Sequence, residues 1–208
     1  MKKNQKKMNS VDNQIIQRII NRGRGAVFVP IEFLDLGSRP AVDIVLHRLV
    51  RKGTIRRLAR GIYDFPKEHP ILGKLQPSPE KIAEALVDRD CTRIQPTGAY
   101  AANILGLSEQ VPAKVVFLTD GPSRTVKIGA TTIQLRRTTP KNMAMAGRLS
   151  GLLVQALREM GKENITTERL EHLMRILPLD QRRELLKDIR LVPEWMHSIF
   201  RKLTEETP

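Results

Sequence analysis

Between Ser38 and Phe65 the chain concentrates side chains that bind phosphate and read base edges. Arg39, Arg48, Arg51, Lys52, Arg56, Arg57 and Arg60 fall within this stretch, with Asp43, Ile44 and His47 among them. Arginine pairs bidentately with phosphate and with guanine, and an exposed isoleucine can meet a thymine methyl group. The spacing divides the residues into two sets. Ala41, Val42, Val45, Leu46, Leu49 and Val50 recur on one side of a helix, and Pro40, Asp43, Ile44, His47, Arg48 and Arg51 recur on the other. The second face has no apolar reason to be buried.

The elements that must hold these groups can be read outward from them. Ser38 is placed to cap a helix and Pro40 lies in its first turn, where a missing N–H costs little. Gly53 ends the helix. Thr54–Leu58 and Gly61–Phe65 read as two short strands joined at Ala59, Arg60 and Gly61. Upstream, Asp12–Arg22 reads as a helix with Ile15, Ile16, Ile19 and Ile20 inward, and 26–29 supplies a strand. Pro30–Leu36 forms a short helix with Phe33 and Leu34 inward, and Gly37 makes a turn. Short helix, turn, longer helix and arginine-bearing ribbon is the order of a winged helix-turn-helix. The expected DNA-binding set is Ser38, Arg39, Asp43, Ile44, His47, Arg48, Arg51 and Lys52 on the helix, with Arg56, Arg57 and Arg60 on the wing holding phosphates.

Composition agrees with a polyanionic partner. The 208 residues carry a net charge of +14 and a pI near 10.4. Residues 1–75 hold 16 Lys/Arg against 6 Asp/Glu, a net of +10, and the remaining 133 hold 20 against 16, a net of +4. Such a surface binds nucleic acid by releasing condensed counterions. No stretch reaches the ~18 apolar residues of a membrane span, and no membrane partner is expected. The basic start MKKNQKKM lacks the apolar region of a secretory signal. A single cysteine, Cys91, suits a reducing cytoplasm. The run Arg22-Gly23-Arg24-Gly25 is read as a helix C-cap with solvated arginines, in preference to a minor-groove hook.

After Phe65 the pattern changes. Residues 1–10 read as a basic flexible tail, 11–66 as the winged helix-turn-helix, 67–77 as a proline-rich linker and 78–208 as a second domain. A helix begins at Ser78-Pro79-Glu80. The carboxylates Asp88 and Asp90 are read as a solvated helix end. Thr97–Gly106 suggests a short, tightly packed helix. Lys114–Thr119 reads as a buried strand, and Thr125–Ile128 with Thr131–Arg137 as a hairpin, so that β structure occupies 113–137. Arg124, Lys127, Arg136 and Arg137 make a second basic cluster that would face nucleic acid or an acidic partner. Residues 141–205 read as wholly helical, with one helix over Met143–Met160. The expected fold class is α+β: an N-terminal winged helix-turn-helix, then a mixed α/β domain with a helical C-terminal part.

Catalytic chemistry is not evident. The histidines at 47, 69, 172 and 197 are scattered, and no Cys/His spacing suggests zinc. No catalytic residue, metal or cofactor is expected. The rival readings are a nucleic-acid-processing enzyme with a basic delivery domain, and an RNA-binding module.

Two segments carry a family resemblance. RLVRKGTIRRLARGIYDFP (Arg48–Pro66) resembles the recognition-helix end and wing of the AbiEi-type antitoxins of type IV toxin–antitoxin systems. PTGAYAANILGLSEQVPAKVVFLTDGPSRTVKIGATTIQLRR (Pro96–Arg137) is similar to the helix, strand and hairpin that follow there. The resemblance covers roughly residues 12–160. It implies a transcriptional repressor that controls its own operon and an antitoxin that opposes a cognate nucleotidyltransferase toxin. It places DNA reading on the helix Ser38–Lys52 and the wing Thr54–Phe65. One such domain reads only a few base pairs, so two protomers on an inverted-repeat operator, a homodimer on DNA, are expected.

Overall fold

The computed structural model describes residues 10–88 and 92–205, and the chain is mixed α and β. Residues 1–9, Arg89, Asp90, Cys91 and the side chain of Asp88 lie outside the described residues. The lysine-rich start, the carboxylate pair and the thiol read from the sequence therefore fall there too. Contacts divide the chain into two units, Met1–Cys91 and Thr92–Pro208.

In the first unit, α1 (Val11–Asn21) starts where the Ser10 hydroxyl accepts from the Asn13 N–H at 3.4 Å. Ile15 and Ile19, one helical turn apart, are buried, whereas Ile20 is exposed rather than inward. Strand β1 (Val27–Phe28), a 3-10 turn over Pro30–Phe33, and α2 (Arg39–Arg51) follow. Then come β2 (Arg56–Ala59) and β3 (Ile62–Asp64), which pair antiparallel, with β1 on the far side of β3. The faces of α1 and α2 close over Phe28 and Phe33, whose rings meet edge to face at 5.5 Å, and over Ile55. Leu34, expected inward beside Phe33, is exposed: it caps the 3-10 turn, whose buried residues are Pro30 and Phe33.

The stretch 67–77, read as a linker, contains a small antiparallel pair, β4 (Glu68–His69) and β5 (Gly73–Lys74). Helix α3 (Pro79–Asp88), assigned from the sequence to the second domain, packs on β1 and β3 and belongs to the first unit. Its buried Ile82, Ala83, Ala85 and Leu86 supply the apolar face for this.

The second unit opens with β6 (Ile94–Thr97) and α4 (Ala99–Ile104), then β7 (Lys114–Thr119), β8 (Arg124–Ile128) and β9 (Thr131–Arg137). The sheet order is β6-β7-β9-β8, with β7 and β9 parallel and the other pairs antiparallel. Val115, Phe117, Ile133 and Leu135 alternate along β7 and β9 and are buried on one face. The expected single helix over Met143–Met160 is broken. A short α5 (Pro140–Met143) is followed by α6 (Leu149–Met160), and between them Gly147 takes φ +77°. Helices α7 (Thr167–Ile176), α8 (Leu179–Glu184) and α9 (His197–Thr204) pack with α4 and α6 into an aliphatic core around Leu153, Leu157, Leu173 and Phe200. Thr166 caps α7, accepting from the Arg169 N–H.

Gly151, in the first turn of α6, sits against backbone. A Cβ there would lie 2.2 Å from the Met145 carbonyl oxygen and 2.6 Å from Gln95 Oε1. Gly151→Ala must push α6 away from the chain that precedes it, and should destabilise this unit by about 1–3 kcal/mol. The single tryptophan, Trp195, packs against the same core and reports urea unfolding. An unchanged midpoint would show that the contact gives way freely.

Candidate nucleic-acid interface

Helix α2 owes its two faces to its sequence period. Val42, Val45, Leu46 and Leu49 are buried, whereas Arg39, Asp43, Ile44, His47, Arg48, Arg51 and Lys52 are exposed. Ile44 is 55% exposed, an apolar side chain standing among polar ones. Ser38 takes the N-cap position with an extended backbone, but its hydroxyl makes no capping hydrogen bond. The helix stops at Lys52 because Gly53 takes φ +71° and turns its N–H to the Val50 carbonyl. Arg48 and Arg51 fall in the last turn, where the helix dipole favours cations.

Two of these cations have acidic neighbours. Arg39 Nε donates to both Asp43 carboxylate oxygens at 3.0–3.1 Å, and Arg48 Nη1 donates to Asp12 Oδ2 at 2.6 Å. Both pairs are exposed, and pairs of that kind are worth only about 0–1 kcal/mol, so a phosphate or base can displace the acid. Among the described residues, no ion pair or hydrogen bond engages the side chains of His47, Arg51 or Lys52.

The hairpin β2–β3 turns on two residues, Arg60 and Gly61, with Gly61 at φ +73°. Arg60 is exposed at the tip. Arg57 is exposed beside it, its Nε donating to the Ala59 carbonyl at 3.4 Å.

Arg56 departs from expectation. Its Nε donates to Asp64 Oδ1 at 3.1 Å, and its Nη2 donates to Asp64 Oδ2 at 2.6 Å and to the Leu75 carbonyl at 2.7 Å. Asp64 is 1% exposed, so its carboxylate depends on this guanidinium for compensation. Arg56 is a strut of the hairpin and does not stand free for phosphate.

Arg18, Arg22 and Arg24 are likewise engaged. Arg18 forms a two-pronged pair with Asp35 at 2.7 Å and donates to the Glu32 carbonyl at 2.9 Å. The hydrogen bond from Arg18 holds the Asp35 carboxyl below its ordinary range. Arg22 pairs with Glu32. Arg24 lies over the Phe65 ring at 4.9 Å, donates to the Pro66 carbonyl and approaches Glu68. Arg22 caps α1 and Gly23 follows at φ +79°, which is the helix ending read from the glycines; both arginines are exposed, as read, and each also holds an acidic neighbour.

The structure splits the second basic cluster. In the paired strands Lys127 stands opposite Thr132, and Thr132 stands opposite Lys114, so the three form one row across the sheet. Arg136 has the same strand parity as Thr132, whereas Arg124 and Arg137 have the opposite one. Lys114 was not in the sequence-derived set.

Three histidines serve turns and packing. His69 Nδ1 accepts from the N–H groups of Ile71 and Leu72 at 3.2 Å, His172 Nε2 lies 3.1 Å from the Leu105 carbonyl, and His197 Nε2 lies 3.0 Å from that of Val192. Among the described residues, no three of His, Cys, Asp and Glu gather as a metal site would need, and no helix is long and apolar enough to cross a membrane. Residues 14–185 match a family of unknown function, DUF6088. No curated protein matches the chain.

Proposed function

We propose that this chain, which belongs to the DUF6088 family of unknown function, binds duplex DNA through its first unit, folded as a winged helix-turn-helix, and acts as a transcriptional repressor. One observation carries the reading. The outer face of α2 exposes Ile44, His47, Arg51 and Lys52 with Arg39 and Arg48, and the chain passes from it into a hairpin whose tip exposes Arg57 and Arg60. An exposed row that mixes guanidinium, imidazole and aliphatic groups matches the donors and methyls of a major groove. Exposed arginines on a short hairpin match a flanking phosphate strand. The order α1, 3-10 turn, α2, β2–β3, with β1 completing a three-stranded sheet, supports the same reading.

The resemblance to AbiEi-type antitoxins extends the proposal. The protein is a cytoplasmic autorepressor, two copies occupy an inverted repeat, and it opposes a nucleotidyltransferase toxin encoded nearby.

The wing gives a direct test. Arg57→Ala and Arg60→Ala should each weaken binding on specific and random duplexes alike. Each should make the plot of log K against log salt shallower by about one unit. Slopes unchanged in both variants would remove the hairpin from the interface.

A further inference from the structure

A separate site lies wholly in the second unit. A hollow of about 360 Å³ opens between β7, β9 and α6 and is lined by Lys114, Arg136 and Arg158, with Thr97, Gln155 and Glu159. Its three cations stand against one carboxylate, Glu159. Among the described residues none of the three cations makes an ion pair or a side-chain hydrogen bond, unlike most arginines of the first unit.

The floor provides a second, independent observation. Gln155 is only 7% exposed, and its Oε1 accepts from the Thr97 hydroxyl at 2.6 Å. Its Nε2 has no hydrogen-bond partner among the described residues. The Nε2 opens onto the hollow, so it can donate to an acceptor that enters without first breaking a hydrogen bond within the protein. The side chain cannot swing away, because Thr97 holds its other end and α6 fixes its backbone. Three cations without an acidic partner among the described residues line the same hollow as a fixed neutral donor, and that combination suits a compact, multiply charged oxyanion that accepts several hydrogen bonds at once.

We propose that this hollow binds a phosphate group, with Lys114, Arg136 and Arg158 balancing its charge and Gln155 Nε2 donating to one oxygen. The phosphate comes either from a free nucleotide or from a nucleic-acid backbone. Both present the same oxygens to the same four side chains. The site is independent of the α2 face and of the DNA-binding reading.

The test is calorimetric titration of the full chain with inorganic phosphate and with adenosine monophosphate, against sodium chloride at matched ionic strength. Saturable binding is expected for the wild type. Gln155→Glu keeps the volume and the acceptor for Thr97 but places a carboxylate at the floor, and should abolish binding. Lys114→Gln and Arg158→Gln, both exposed positions, should each weaken it about tenfold. Melting curves identify any variant that fails to fold, and the two exposed variants keep the test decisive if Gln155→Glu is such a case.

A parallel titration with a 20-base-pair duplex distinguishes the sources. If adenosine monophosphate saturates the site and leaves duplex affinity unchanged, the ligand is a free phosphate ester. If only the duplex binds, and Lys114→Gln with Arg158→Gln reduces that binding, the phosphate is backbone. Absence of saturable binding by phosphate and nucleotide together with a duplex affinity that Lys114→Gln and Arg158→Gln leave unchanged, or equal binding by folded variants and wild type, would overturn the proposal, whatever the α2 face does with the duplex.

Discussion

Arg56→Ala and Asp64→Ala should each destabilise the first unit by about 2–4 kcal/mol, while Arg57→Ala, one residue along, should change its stability by less than about 0.5 kcal/mol. The difference follows from where the charges sit. Asp64 is 1% exposed, and its two oxygens are both taken by Arg56. Removing the arginine leaves a buried carboxylate without compensation. Removing the carboxylate leaves a guanidinium with only the Leu75 carbonyl. The side chain of Arg56 is 26% exposed, so water recovers part of the loss, and the lower half of the range is expected for Asp64→Ala. Arg57 is exposed on the neighbouring position and bridges nothing beyond its own hairpin. Hydrogen exchange of the α2 amides, read by mass spectrometry, reports this unit separately from the tryptophan-bearing one. Equal protection in Arg56→Ala and Arg57→Ala would show that the pair contributes no net stability. The same comparison separates two causes of weak DNA binding, since Arg56→Ala should lose affinity through unfolding and Arg57→Ala through lost contact.

Arg51→Ala should relax base preference at one or two operator positions, at a cost of about 1–3 kcal/mol if the guanidinium is bidentate to guanine. Arg51 is the arginine of the α2 face with no acidic partner among the described residues, so it meets DNA without first giving up a contact. Arg48 must leave Asp12, and Arg39 must leave Asp43. Those exchanges are cheap for exposed pairs, but they reduce the net gain. Arg48→Ala is therefore expected to cost less than Arg51→Ala. Ile44→Ala should lose affinity on the native operator, and the loss should disappear on the operator variant whose contacted thymine is replaced. A panel of single-base operator variants measured with each protein decides the order. A uniform loss on every sequence for Arg51→Ala would assign it to phosphate.

Much of the α2 face was legible because its period is strong. Val42, Val45, Leu46 and Leu49 repeat on one side, and Gly53 marks the stop. The Arg56–Asp64 pair was harder to see. Ile62 and Asp64 share a strand parity, so Asp64 follows Ile62 into the interior and needs a cation. Continuing the register from Ala59 opposite Ile62 would put Arg57 across from Asp64. A bulge at Leu58 shifts it so that Arg56 stands there and Arg57 faces Tyr63. A bulge leaves little trace in a four-residue strand.

Strand β6 escaped notice because it is four residues long and contains Pro96. It tolerates proline because it lies at the sheet edge. The parallel pairing of β7 with β9 was also hidden, since β8 and β9 read as a simple hairpin until β9 inserts between β7 and β8. Helix α3 follows a proline-rich stretch that looks like a boundary. Which unit its apolar face joins depends on contacts with β1 and β3, some 50 residues and about 20 residues away in the chain. The Gln155 amide lies on an otherwise apolar face of α6, and only the strand it meets shows that it is half satisfied.

The central claim is that the outer face of α2 reads a specific duplex. Its most direct test is an anisotropy titration of the full chain on the DNA upstream of its own gene and on a shuffled duplex of the same composition, repeated over a series of salt concentrations. The account predicts that the native duplex binds at least about a thousandfold more tightly than the shuffled one at physiological salt. It also predicts that affinity on both falls with salt and that Arg51→Ala narrows the gap. Equal affinity for the two duplexes, with Arg51→Ala indistinguishable from the wild type on both, would contradict it.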